Sequence, residues 1–407
     1  MITCVYCRGK YPEELCKNGR CPVLMRFYAK VKKNSEGKQD FFGAAPNVFI
    51  GRYGYPNVSA GILGNELVTE EHDNPRVWAE KNYDIDKIVD LRTSLINSQF
   101  RTHIKSFNDR FLEMTREVSM AEKPVDMEVS LEKKPVFRLT VSQDVTPFGP
   151  SVRLKNARIT ENPKVPVSVE KAVGDSDLKA GNAIGELYRK GLGEHHLTKL
   201  ISTGSLGLKT QRKLVPTRWS ITAIDDTLGK QMIDEIRDFR PGEYAAYFGG
   251  YLGNYYLNLF FPDVWSYELF EMMAPKTPQH MNWDMVTTDY EGYEGRKDYA
   301  ANTVGGYYAA RLGILEALKK SKRQASVLAL RFITDEYYTP LGVWVVRQAS
   351  RNAMSVSPQF FSSREELMNY ARQFVSEKFK VNLDELLQRS ILYQNLKKQR
   401  KISEFFR

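Results

Sequence analysis

All four cysteines of the chain fall within its first 21 residues, as Cys4-x2-Cys7 and Cys16-x4-Cys21. Two short-spaced thiolate pairs on either side of a small loop can close tetrahedrally around Zn²⁺, and Gly9 and Gly19 give turn freedom beside the ligands. A site of four cysteines keeps no open coordination position, so its role would be structural. Metal binding would fold a segment too short to bury a core of its own. An iron–sulfur cluster or a pair of disulfides would use the same four thiols; the spacing and an intracellular setting favour zinc. Arg8, Lys10, Lys17 and Arg20 lie on this knuckle and are candidate DNA contacts, although solvated surface would account for them equally well.

A second group with chemical potential runs from Glu194-His195-His196 through Thr203-Gly204-Ser205 and Lys209 to Arg218-Trp219-Ser220 and Asp225-Asp226. It combines proton carriers, phosphate-binding cations and carboxylates. His195, His196, Arg218, Asp225 and Asp226 are therefore the candidate catalytic residues, either of a nucleotide pocket such as one for NAD or of a phosphodiester site in which carboxylates hold Mg²⁺ or Mn²⁺. A further acidic set comprises Asp284, Asp289, Glu291, Glu294, Arg296 and Asp298. Neither set has a spacing that demands catalysis, and the chain contains no nucleophile elbow, no H-E-x-x-H and no P-loop.

The chain ends in Gln399-Arg400-Lys401-Ile402-Ser403-Glu404-Phe405-Phe406. One turn of 3₁₀ helix would place Ile402, Phe405 and Phe406 on one side as an apolar plug, leaving Gln399 to hydrogen-bond beside it. That is the pattern of a peptide that docks on a sliding clamp, and Lys397, Lys398, Arg400 and Lys401 suit an acidic rim. The competing explanation is a helix end packing on its own protein. An apolar plug at a terminus favours an outside partner.

The elements that must carry these residues are mixed. Residues 34–46 read as a loop, and the glycine-punctuated stretch that follows reads as strands joined by tight turns. Apolar positions from Ile88 to Val118 step at three to five residues and predict a helix; residues 135–175 have β character, with VPVSVEKAV among the strands. Helices are expected over Ala183–Leu192 and, capped by Asp225-Asp226-Thr227, over Leu228–Phe239. The aromatics crowded into residues 244–270 read as core. Beyond the polar stretch 274–302, a helix is expected from Val304, then strands SVLALRFIT and LGVWVVRQ, a helix capped by Ser362-Ser363, and a last helix over Leu383–Leu396. The fold class is α+β in several units: a four-Cys knuckle at 1–25, a mixed domain at 26–273, a loop or boundary at 274–302, a second α+β domain at 303–396, and a helical tail ending in the clamp peptide at 397–407.

At 407 residues the chain exceeds one ordinary core, and 42% hydrophobic with 27% charged residues fits folded domains rather than a disordered chain. No apolar run of membrane-spanning length occurs and the first residues resemble neither a signal nor a transit peptide, so a cytoplasmic, nucleoid-associated protein without a membrane partner is expected. The net charge of +10 favours a polyanion. Both ends are basic: residues 1–40 hold nine Lys/Arg against four Asp/Glu, and the last eleven hold five against one.

The CVYC…CKNGRC knuckle, FIGRYGYPNVSAGILG, TRWSITAIDD, YEGYEGRKDYAANTVGGYYAARLGILE and the QRKISEFF tail together resemble the archaeal Nre family of DNA repair proteins, over nearly the whole chain. The resemblance implies a part in DNA damage repair and binding to the archaeal sliding clamp, PCNA, through Gln399, Ile402, Phe405 and Phe406. It also implies a zinc motif at Cys4, Cys7, Cys16 and Cys21. It carries no reaction. Three functions stay open: a clamp-tethered DNA-binding repair factor, a repair enzyme (a structure-specific nuclease or an ADP-ribosyltransferase-like transferase), and a non-catalytic scaffold.

Overall fold

Strands β1 (Asp40–Ile50) and β2 (Asn57–Asn65) form a hairpin. The computed structural model describes residues 37–106, 109–136, 149–275 and 283–398; the four cysteines, their neighbouring cations and the clamp peptide lie outside these residues. The hairpin starts earlier than its glycines suggest, because Asp40–Ala45 pair along β4 and are strand rather than loop. After the short helix α1 (Pro75–Glu80) come α2 (Ile85–Thr93), β3 (Ile96–His103), α3 (Arg110–Met120), β4 (Val125–Leu131) and β5 (Ser151–Ile159).

The predicted helix over 88–118 is thus two helices around a strand. Phe100 and Ile104 are four apart, a spacing that a helix face and an alternating strand share. Pairing with β2 along Asn57–Gly64 makes Ile96–His103 strand, Phe100 within it and Ile104 directly after it. The five strands close into a barrel in the order β1-β2-β3-β5-β4, with β3 parallel to β5, β4 returning to β1, and the other pairs antiparallel. Val48, Ile50, Val58, Ala60, Ile62, Phe100, Met127 and Leu154 fill the interior, joined by Leu112, Met114 and Val118 of α3. This strand order, with a helix between the third and fourth strands, is that of the OB barrel.

Helices α4 (Val167–Gly174), α5 (Ala180–Arg189) and α6 (Glu194–Ser202) follow. The VPVSVEKAV segment is α4 and not a strand. Pro166 starts it at the N-cap, and Val169 and Ala172, three apart, bury one helical face. Helix α7 (Thr217–Ile236) begins eight residues before the expected Asp225-Asp226-Thr227 cap, which places these carboxylates mid-helix.

Within α7 the chain passes from one compact unit to a second. The first takes the described residues up to Thr227 with Tyr338–Gly342; the second takes Leu228–Tyr337 and the residues from Val343 onward. The second unit holds β6 (Arg240–Pro241), β7 (Tyr244–Tyr251), β8 (Asn254–Phe261), β9 (Ser266–Met273), β10 (Thr287–Glu291), α8 (Gly305–Ser321), β11 (Arg323–Gln324), β12 (Ser326–Ile333), α9 (Val343–Ser355), β13 (Gln359–Phe361), α10 (Arg364–Phe379), α11 (Leu383–Arg389) and α12 (Ile391–Lys398). Its six-stranded sheet runs β10-β9-β12-β8-β7-β13. Every residue of β12 is buried, as suits a central strand. On one face Leu367, Val375, Phe379, Leu386 and Leu392 of α10–α12 pack on Leu257, Leu259, Leu328 and Phe332. Helices α8 and α9 pack together and α9 lies against β7 and β8.

LGVWVVRQ is the start of α9 rather than a strand. Its β-branched run favours β structure only weakly, and burial of Trp344, Val345, Val346, Ala349 and Ala353 in a helix overrides it. The expected last helix breaks at Ser390, where the Glu268 carboxylate accepts the backbone N–H groups of Ile391 and Leu392, each at 3.0 Å, and starts α12 afresh. Residues 287–291 of the polar stretch are β10, paired with β9 at the sheet edge. Among the described residues no helix is long and apolar enough to cross a membrane.

Candidate functional site

His195 and His196 sit in the first turn of α6 and face different surroundings. The Asn47 amide, where β1 bulges, reaches His195 Nε2 at 3.1 Å and also donates to the Asp73 carboxylate. Arg92 of α2 approaches the second Asp73 oxygen at 3.3 Å. One turn after His195, buried Lys199 turns its Nζ toward the carbonyls of Pro46 (3.4 Å) and Ala121 (3.5 Å).

Burial alone would raise the Asp73 carboxyl, but Arg92, His195, the Asn47 hydrogen bond and Lys199 outweigh it and hold the group below the usual range. Burial pushes the Lys199 ammonium down to about 8 against the pull of Asp73. His196 is pushed down to about 3 by burial first, then by Lys199 and His195. Its Nε2 is buried and has no hydrogen-bond partner among the described residues. This cluster is closed to solvent at Asp73 and Lys199, which are 3% and 8% exposed. It pins α6 to the barrel, with Asn47, Asp73 and Lys199 buried and His195, His196 and Arg92 half-buried at its margin.

Sequence patterns give no access to Asn47, Asp73, Arg92 or Lys199 as a group. They come from four elements and only the fold collects them.

Arg218 has a different setting. It is exposed on the first turn of α7, whose Thr217 hydroxyl accepts the Ile50 N–H at 2.9 Å and so ties the helix to the end of β1. Beside it Trp219, 47% exposed, packs on Tyr55 of the β1–β2 loop with ring centroids 5.4 Å apart. In the same loop Tyr53 is 77% exposed, with the Arg52 guanidinium 5.2 Å from its ring. Gly54, at φ +81°, makes the turn. A Cβ there would lie 3.2 Å from Arg101 Nη2, so the exposed Arg101 of β3 has its head against the loop. Asp225 is fully buried and Asp226 half-buried further along α7.

Of the acidic set of the second unit, Asp289 and Glu291 are buried and serve its interior, whereas Asp284, Glu294 and Asp298 are exposed. Asp289 accepts the N–H groups of Asn302 (3.0 Å) and Thr303 (2.8 Å) and pairs with Arg296 at 3.2 Å. Glu291 accepts from Arg311 at 2.6 Å and from the Trp265 indole at 3.1 Å. Among the described residues no three His, Cys, Asp or Glu side chains converge as a metal site.

The chain matches the family described as "Archaeal Nre, N-terminal" over residues 15–279 and "Archaeal Nre, C-terminal" over residues 291–405. It belongs to the archaeal Nre family. Among relatives of this Nre chain, "DNA repair protein NreA" of Haloferax volcanii is 37% identical over 81% of each chain. "DNA repair protein NreB" of Archaeoglobus fulgidus is 34% identical over 99% of this chain and 100% of its own. "DNA repair protein NreA" of the same organism is 35% identical over 93% and 95%. No solved structure matches the Nre chain.

Proposed function

We propose that the protein is a DNA repair factor that binds DNA through its first unit and is brought to DNA by the sliding clamp PCNA. The observation that carries DNA binding is the OB strand order of the barrel, a scaffold that binds oligonucleotides across its second and third strands. Relatives named DNA repair proteins, matched over most of their length, support the repair role. Recruitment rests on Gln399, Ile402, Phe405 and Phe406, which begin directly after α12, a helix held at its N-terminus by Glu268. Cys4, Cys7, Cys16 and Cys21 have the spacing of a four-thiolate set that suits structural zinc.

No step of nuclease or NAD-dependent transfer chemistry draws support from His195 and Lys199, whose polar atoms point to Asn47 and to backbone carbonyls. The full chain is expected to bind PCNA in calorimetry, and the Phe405→Ala/Phe406→Ala variant to lose at least tenfold in affinity. Equal affinity of that variant would end the docking assignment.

A further inference from the structure

We propose that the face built by the β1–β2 loop, β3 and the first turn of α7 binds single-stranded DNA, with bases stacked on Tyr53, Tyr55 and Trp219 and phosphates met by Arg52, Arg101 and Arg218. This rests on the DNA-binding reading above and gives it a site and a strand type.

Three aromatic side chains stand open together here, at 77%, 40% and 47% exposure for Tyr53, Tyr55 and Trp219. Large aromatics normally bury that area, and the barrel core has Phe41, Phe100 and Phe111 with which to do so. The fold goes to some length to present them. Thr217 fixes the start of α7 to the end of β1, which sets Trp219 against Tyr55; Gly54 folds the loop back so that Tyr53 projects outward.

The cations interleave with the rings. Arg52 lies over Tyr53, the Arg101 head lies at Gly54, and Arg218 precedes Trp219 in the same helical turn. His103 and Lys105, both exposed, extend the face along and just beyond β3. Asp40, Asp126 and Glu128, by contrast, belong to the neighbouring β1–β4 pair.

Ring faces bind the flat faces of bases, and a duplex hides those faces in its own stack. Alternating rings and guanidinium groups therefore select an unstacked strand over a double helix. The β2–β3 side and the β1–β2 loop are also where the OB scaffold places oligonucleotides. A protein partner would want apolar area without so dense a set of cations.

The test is fluorescence anisotropy on the full chain, using a labelled strand of about twenty nucleotides, enough for one barrel. The same strand is then offered as a duplex and as RNA. Tenfold or greater preference for single-stranded DNA over duplex is expected, with RNA no tighter than DNA. Tyr53→Ala/Trp219→Ala and Arg101→Ala should each weaken single-strand binding at least fivefold, at unchanged melting temperature and unchanged PCNA affinity. Tyr53→Phe should keep wild-type binding. DNA binding that all these variants retain in full would overturn the site while leaving the DNA-binding reading intact. Preference for duplex or for RNA would overturn the strand assignment. Failure of the wild-type chain to bind any nucleic acid would remove the site together with the reading on which it rests.

Discussion

Lys199 is held away from water with its ammonium against two carbonyls and the field of Asp73. The fold lowers it from 10.5 to about 8, so between these values the unfolded chain binds a proton that the folded chain does not. Stability contributed at this position therefore rises with pH through that window and is lowest below it. In urea unfolding, wild type should gain on Lys199→Met by about 3 kcal/mol from pH 8 to 10.5, with a constant difference below pH 7. A difference that is flat throughout would mean that the ammonium is solvated. At this scale the sequence was partly legible: paired histidines draw attention, and His195 does belong to a polar cluster. Its partners Asn47, Asp73, Arg92 and Lys199 have no mutual spacing to notice, because burial rather than sequence order unites them.

Helix α7 shows what an element can demand of one residue. Gly229 lies in its second half, where a Cβ would sit 2.9 Å from Nη2 of Arg311. That guanidinium cannot easily move, since it is fully buried, paired with Glu291 and flanked by the Tyr307 and Tyr308 rings at 5.6 and 5.3 Å. Glycine to alanine in an open helix stabilises by about 1 kcal/mol. Gly229→Ala should instead destabilise by about 1–3 kcal/mol in urea unfolding. Gly181→Ala in α5, where the nearest neighbour is 3.9 Å away, should not. A stabilised Gly229→Ala protein would show that Arg311 has room to give.

Elements were read well where one period dominates, as in β12 and α10, and badly where two periods agree. Phe100 fits helix and strand alike until β2 is beside it, and the valines of α9 are strand-like until the sheet covers them.

Across the whole molecule, the charge of +10 favours a polyanion, and the face proposed above is where one would bind. If Arg52, Arg101 and Arg218 each meet one phosphate, log K for single-stranded DNA should fall against log[salt] with a slope of about 2. A measured slope near zero would leave no role for the three arginines; a steeper one would bring in the basic residues beyond this face. The barrel itself could not be read from sequence, because its decisive pairing joins Asn97 to Ser151, far apart in the chain, and nothing local announces that contact.

Tyr338–Gly342 belong to the first unit although the chain has already built most of the sheet of the second, and the Tyr338 hydroxyl reaches Asp86 at 2.7 Å. A ribosome making this protein from its N-terminus would release the barrel strands early, yet could not supply that strip until residue 342 had been added. The first unit therefore spends part of its biosynthesis unfinished, with all five barrel strands made and the strip that meets α2 still to come, and a gene cut at the seam near Thr227 would encode a first half that never receives its last piece.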